Sequence, residues 1–258
     1  MINKLEAMTK NKSEPIVKVK NISKSFGGVR ALRDGSFNLN SGEIISIVGA
    51  NGAGKSTLMK LVSGSLVPDS GSIEINGVEV PRSSHSVSHM REKGVEVVYQ
   101  DLALVPNMTA PYNLFLGRIP RKWRFFVDEK KMRDKTREIL SQLNVTTIQD
   151  LSVPISSMSG GQQQIIAIGR AIAWGKEVVI LDEPTAALGP NETEKVERVV
   201  NEVNSKFGTS FILVSHNIEQ VKRLSSRIIV THHGKTSSEF KSEEISAKKL
   251  VEAITLGK

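Results

Sequence analysis

Gly49-Ala50-Asn51-Gly52-Ala53-Gly54-Lys55-Ser56 sets a G-x-x-x-x-G-K-S spacing between two different kinds of text. Before it, Ile44-Ile45-Ser46-Ile47-Val48 is a short apolar run, the pattern of a strand buried on both faces. After it, Leu58, Leu61 and Val62 recur at helical spacing, and Gly64 is placed to end that helix. A strand, a glycine-rich loop and a helix in this order make a cradle for phosphate. Glycines let the backbone wrap so that successive N–H groups point inward, and the helix N-terminus adds partial positive charge. Lys55 is then the residue to reach β- and γ-phosphates, and Ser56 the one to ligate Mg²⁺.

A second unit of the same kind follows. Val178-Val179-Ile180-Leu181 reads as another buried strand, delivering Asp182 and Glu183 at its carboxyl end, where open α/β sheets bind ligands. Asp182 is a candidate for the Mg²⁺ shell and Glu183 for the general base that polarises a water. Beyond Pro184, Val196, Val199, Val200, Val203 and Phe207 form one helical stripe ended by Gly208. Residues 211–214 are a further buried strand, a short helix carries Ile218 and Val221, and residues 228–230 are another strand. Alternation of strands and helices predicts an α/β fold with a mostly parallel sheet. At the amino-terminal side, Val17, Val19 and Ile22 mark a strand, and Phe37 and Leu39 a second. Residues 85 to about 165 read as basic helical text without β runs, with Met132, Ile139, Leu140 and Leu143 on one side, and predict an inserted helical subdomain. Residues 242–256, with Ala247, Leu250, Val251 and Ile254 in helical register, predict a packed closing helix.

Composition removes other chemistries. The 258 residues contain no cysteine, which excludes a disulfide framework, a thiolate nucleophile and a Cys-based metal site. The five histidines show no metal-ligand spacing beyond the adjacent His232 and His233, which read as a turn. The uncharged run 151–169 holds Pro154, four serines and three glutamines, so it is unfit for hydrocarbon. Residues 1–14 read as a polar, mobile tail without the apolar stretch of a secretory signal. The net charge of +8 fits nucleic acid, an anionic membrane, an anionic small ligand or a solvated basic face.

Ser159-Gly160-Gly161-Gln162 stands before helical text carrying Ile165, Ile166, Ile168 and Ile172. Alone it is a capped loop. Between a phosphate loop and an acid-tipped strand, the order resembles the ATP-binding cassette (ABC) ATPases, whose signature is normally Leu-Ser-Gly-Gly-Gln. The likeness runs over about residues 16–235. It implies a P-loop NTPase with a mostly parallel sheet, an antiparallel β subdomain at the N-terminal side and an inserted helical subdomain. The implied division is a tail over 1–14, the cassette over 15–240 and a C-terminal helix over 241–258.

The resemblance also implies roles. Phe26, ahead of Gly27-Gly28, would stack on adenine; Gly49, Ala50, Asn51, Gly52, Ala53, Gly54, Lys55, Ser56 and Thr57 would hold the phosphates of ATP. Ser159, Gly161 and Gln162 would cover the ATP of a second copy, and Ser56, Asp182 and Gln100 would hold Mg²⁺. Glu183, His216, Gln100 and Lys55 would carry the catalysis. Two departures stand out: Met158 replaces the signature leucine, a volume-conserving swap, and Gly189 stands where most of the family carry Asp. Three stretches, 98–104, 113–118 and Ala187-Leu188-Gly189, look like the single-cassette ATPases of monosaccharide importers.

Implied with these is an ATPase that forms a head-to-tail homodimer around two ATP. It would power sugar import through a separate transmembrane permease fed by an extracytoplasmic solute-binding protein. Such a subunit sits peripherally on the cytoplasmic face of the membrane, and nucleic acid is not an expected partner. An exporter ATPase, or a soluble cassette acting on nucleic acid or ribosomes, remains the alternative. Leu102, Leu104, Val105 and Leu114 read as a groove for a permease helix. Nine basic residues from Arg118 to Arg137, interleaved with Trp123, Phe125 and Phe126, read as a face toward the permease and an anionic leaflet, with a solvated face as the alternative.

Overall fold

The computed structural model describes residues 15–123, 125–174 and 177–257; the tail over 1–14 lies outside them. In chain order the elements are β1 (Val17–Phe26), β2 (Val29–Leu39), β3 (Ile44–Val48), α1 (Lys55–Val62), β4 (Ser70–Ile75), β5 (Val78–Glu79), α2 (Val87–Glu92) and β6 (Val95–Val98). There follow α3 (Ala110–Leu114), β7 (Arg121–Lys122), β8 (Phe126–Val127), α4 (Glu129–Gln142) and α5 (Gly160–Ala173). The chain closes with β9 (Val178–Asp182), α6 (Pro190–Phe207), β10 (Ser210–Val214), α7 (Ile218–Leu224), β11 (Arg227–His232), β12 (Lys235–Lys241) and α8 (Ala247–Leu256).

Ten strands share one sheet in the order β5-β4-β1-β2-β12-β11-β3-β10-β9-β6. From β11 to β6 the neighbours are parallel, while β1, β2, β4 and β5 pair antiparallel. The central strands are buried on both faces because their side chains alternate between two cores. Val179, Leu181, Phe211 and Leu213 point into the core shared with α4, α5 and α6. Ile45, Ile47, Val178, Ile180, Ile212 and Val214 point into the core shared with α1 and the antiparallel strands. A third core joins Val221, Ile228 and Val230 to Leu250 and Ala253 of α8.

The two halves of the sheet meet at a narrow seam. β12 pairs with β2 only at Lys235↔Asp34, and the carbonyl of Gly234 accepts from the N–H groups of Arg33 and Asp34 at 2.6 and 3.1 Å. Arg227 reinforces it. Its guanidinium grips Glu43 at 2.6 and 2.8 Å and also donates to Asn38 of β2 and Glu239 of β12.

Several sequence expectations are corrected. Residues 85–165 do contain strands: besides the two-residue β7 and β8, Val95-Glu96-Val97-Val98 is too short to stand out, yet it pairs with β9 and closes the parallel edge. β12 alternates exposed and half-buried residues with no apolar run to announce it. His232 ends β11, and only His233 belongs to the turn. Phe207 ends its helix exposed. In α8 Leu250 and Ala253 are buried, whereas Ala247 and Val251 face solvent because the core reaches only one side. Leu114 is wholly buried in the core and does not line a groove.

Candidate active site

The topology explains how distant residues meet. The parallel strands β3, β10, β9 and β6 lie side by side, so their carboxyl ends form one rim. The glycine-rich loop follows β3, His216 follows β10, Asp182 ends β9 with Glu183 next to it, and Gln100 follows β6. Ligands bind at such a rim because strand ends and helix N-termini leave backbone groups unpaired there.

The loop is packed closely at its first and last glycines. A Cβ on Gly49 would come within 2.2 Å of the Thr231 carbonyl of β11, and Gly54 holds φ +102° against the Ala31 carbonyl. Lys55 is buried, its ammonium donating to the carbonyls of Gly49 and Ala50 at 2.7 and 3.0 Å. Burial pushes its pKa down, against the attraction of Glu183 and Asp182. Ser56 is exposed at the first turn of α1, and Thr57 beside it is half-buried.

Asp182 and Glu183 are both half-buried, and burial holds both carboxyls above their usual values. For Glu183 the desolvation outweighs His216, and the Asp182 charge adds to it. Glu183 adopts φ +49°, a left-handed backbone that a glutamate takes only under constraint. Its N–H donates to the Val214 carbonyl at 2.9 Å, which locks the turn against β10. The backbone N–H of His216 donates to Glu183 Oε2 at 3.4 Å, and Nε2 of His216 lies 3.2 Å from Oε1. That second contact lacks hydrogen-bond alignment, so Oε1 is a buried acceptor with no hydrogen-bond partner among the described residues. Buried acceptors are rarely left so.

A network that sequence reading missed supports this turn. Gln220 donates to Thr185 Oγ1 at 2.8 Å and to Glu197 at 3.3 Å, while the Ser215 hydroxyl donates to its amide oxygen. Arg223 clamps Glu197 with two bonds of 2.8 and 3.0 Å. Thr185 and Ser215 flank Glu183 and His216 in sequence, so the network ties both to α6 and α7. Polar residues on amphipathic helices carry no signal that sets them apart from a solvated face.

The other predicted residues make no hydrogen bond or ion pair to Glu183 or His216 among the described residues. Phe26 ends β1 about half exposed, with the Lys24 ammonium 6.0 Å from its ring. Gln100 is exposed in the turn after β6. Past it, Leu102 and Ala103 are both left-handed, φ +58° and +44°, and Arg170 of α5 donates to their two carbonyls at 2.9 and 2.7 Å. Ser159 caps α5 in a capping box: the Ser159 hydroxyl accepts from the N–H of Gln162, whose side chain accepts the N–H of Ser159. Gln162 also donates to the Thr147 carbonyl at 2.7 Å, so its side chain is occupied within the chain. The N–H of Gly161 donates to Glu192 of α6 at 3.4 Å. Among the described residues no hydrogen bond or ion pair joins Ser159, Gly161 or Gln162 to the glycine-rich loop.

Comparison with known proteins gives the family. The chain is 36% identical over 240 residues to the xylose/arabinose import ATP-binding protein of Sulfolobus acidocaldarius, covering 93% of this chain and 94% of that one. It is 40% identical over 228 residues to the fructose import ATP-binding protein of Rhizobium meliloti, covering 86% of each. Among solved structures, the dimeric post-hydrolysis state of an ATP-binding cassette bound to ADP and Pi superposes with a TM-score of 0.73 at 27% identity, over 88% of this chain and 98% of that one. The ABC transporter family matches residues 32–186. With its loop, acid-tipped strand and capped helix in the family's order, the chain belongs to the ABC transporter family and is one of its ATP-binding cassette ATPases.

Proposed function

We propose that this chain hydrolyses ATP at a site completed by a second copy of itself, and that the cycle powers import of a sugar through a separate membrane-spanning permease. The observation that carries the hydrolytic step is Glu183 Oε1: a buried, unpartnered carboxylate oxygen beside His216, on a turn held in a strained conformation. Such an oxygen is fit to take a proton from water as that water attacks the γ-phosphate. Lys55 and the inward N–H groups after Gly49 hold the phosphates, and Phe26 offers its ring to the adenine. His216, 3.2 Å from Glu183 Oε1, would steady the γ-phosphate and orient Glu183.

The donor set fits Mg²⁺. Ser56 from the first turn of α1, Asp182 from the end of β9 and Gln100 from the turn after β6 offer hard oxygens, and no cluster of three His, Cys, Asp or Glu among the described residues competes for a transition metal. Bound there, Mg²⁺ neutralises phosphate charge.

The separation of Ser159 and Gly161 from the loop within one chain supports a composite site, in which the N-terminus of α5 covers the γ-phosphate held by a partner copy. Closing and opening of that dimer is the two-state element that a permease follows. The helical lobe, about residues 85–165, carries the loop after Gln100, and half-buried Leu102, Leu104 and Val105 offer a contact for a permease helix. No helix among the described residues is long and apolar enough to cross a membrane; the spans, and a solute-binding protein on the far side, come from partners, and this subunit works peripherally on the cytoplasmic face. The relatives named for xylose/arabinose and fructose import support a sugar as the cargo.

Glu183→Gln tests the core of this reading. ATP turnover should fall by a factor of about 10² or more, while ATP still binds and the purified protein shifts to a dimer. Turnover at the wild-type rate would remove Glu183 from the mechanism. For the cargo, ATPase stimulation in vesicles containing a candidate permease and its sugar-loaded binding protein is the deciding measurement.

A further inference from the structure

β7 and β8 form a hairpin that joins no other strand, with Arg121 opposite Val127 and Lys122 opposite Phe126. A ribbon this short is marginal by itself, and Asp128 braces its base. The N–H of Asp128 donates to the Pro120 carbonyl at 2.9 Å, and its carboxylate lies 3.6 Å from the Lys122 ammonium. At the tip Trp123 is 87% exposed, Phe125 82% and Phe126 71%. Trp123 adopts φ +52°, a turn position where asparagine or glycine would be less strained. Six of the thirteen large hydrophobic side chains left exposed among the described residues fall between 108 and 127, so the apolar surface is concentrated here.

The charge around the tip is predominantly positive. Between 118 and 137 the sequence holds nine Lys or Arg and three Asp or Glu. Lys122, Lys135 and Arg137 pair with neighbouring acids, and Arg118 stacks on Trp174 at 4.7 Å. Arg121, Lys130 and Lys131 form no ion pair among the described residues. An open groove of about 570 Å³ beside the hairpin is floored by Phe115 and Trp174 and rimmed by lysines, Lys131 and Lys135 among them, interleaved with Asp128, Asp134 and Glu138.

We propose that the hairpin tip inserts Trp123, Phe125 and Phe126 into the interfacial layer of an anionic lipid leaflet, with Arg121, Lys130 and Lys131 over the head groups. Aromatic rings with flanking cations match that layer, apolar below and anionic above. A protein partner would need a broader complementary surface than a convex ribbon with two residues per strand. Single-stranded nucleic acid would need a groove that tracks several nucleotides, which a ribbon tip does not supply.

The test floats the full chain with vesicles of phosphatidylcholine alone or mixed with phosphatidylglycerol. Binding should need the anionic lipid, weaken with salt, and shift the Trp123 emission to the blue, an effect absent from Trp123→Phe. Trp123→Ala/Phe125→Ala/Phe126→Ala should bind about tenfold more weakly, and so should Lys130→Glu/Lys131→Glu, an independent surface variant that leaves the hairpin untouched. Basal ATPase activity should be unchanged in both. Equal binding to neutral and anionic vesicles, or wild-type binding by the aromatic variant, overturns the proposal. So does a variant that keeps its lipid binding and loses instead the capture of a permease or an oligonucleotide. The vesicles contain no permease, so this outcome is read separately from the coupling proposed above.

Discussion

Glu183 shows what residue identity conveys and what it withholds. Two acids after four apolar residues mark the end of a buried strand, and the carboxylates stand there. The left-handed backbone of Glu183, and the orphan oxygen it presents, depend on the Val214 carbonyl on a neighbouring strand and on Gln220 of α7, far along the sequence. Gly49 is the reverse case, because its identity already states a close approach. Gly49→Ala drives a methyl into the Thr231 carbonyl, so the loop must shift; nucleotide affinity should drop at least about tenfold and stability by about 2 kcal/mol, read by nucleotide titration and urea melts. Glu43 gives a pH test. Burial pushes its carboxyl up, but Arg227 and the Asn40 N–H outweigh that and leave it below the ordinary value. A depressed acid stabilises the fold above the ordinary carboxylate pKa and loses that contribution as pH falls through the native value. Glu43→Gln should cost about 2 kcal/mol at neutral pH, and the gap to wild type should close in acid; a gap independent of pH would remove the charge from the explanation.

At the scale of elements, periodicity exposed α1, α4, α6 and the buried strands, since each packs an unbroken apolar face. It failed at β6, four residues inside basic helical text, and at β12, which lies at the seam with few apolar side chains. Both are specified by their neighbours: β6 by the edge of β9, β12 by β11. The loop after Gln100 was legible in its residues and not in its shape. Arg170 holds Leu102 and Ala103 in their strained conformation from another element. Arg170→Met leaves two carbonyls unpaired, so amide exchange over 102–105 should accelerate by about tenfold or more while the β3 and β9 amides stay protected. Uniform loss of protection would mean that Arg170 supports the whole fold instead.

At the scale of the whole molecule, the order of strands mattered more than any motif. The sequence showed a phosphate loop, an acid pair, a histidine and a glutamine at four distant places; only the order β3-β10-β9-β6 puts them on one rim. The capped N-terminus of α5 makes no hydrogen bond or ion pair to the glycine-rich loop among the described residues, and this sets a prediction about assembly. Lys55→Ala removes the phosphate-binding ammonium and Ser159→Arg blocks the α5 N-terminus. Each variant alone should hydrolyse ATP at no more than a few per cent of wild type, roughly. Mixed, they form dimers in which one composite site is intact, so activity should recover to about a quarter of wild type. If the mixture stays as inactive as its parts, the site is contained within one chain.

The turn at Gly234 has a mechanical consequence. Its N–H donates to Ala53 in the phosphate loop at 3.0 Å, and its carbonyl accepts from Arg33 and Asp34 of the antiparallel strands. One residue thus has a hand on the phosphate end and on the sheet that carries Phe26. On the proposed roles of the loop and of Phe26, any shift of the loop on taking up phosphate would be carried through Gly234 to the strands that hold Phe26, and the two ends of the nucleotide would be gripped in time with each other, like jaws on a common pin.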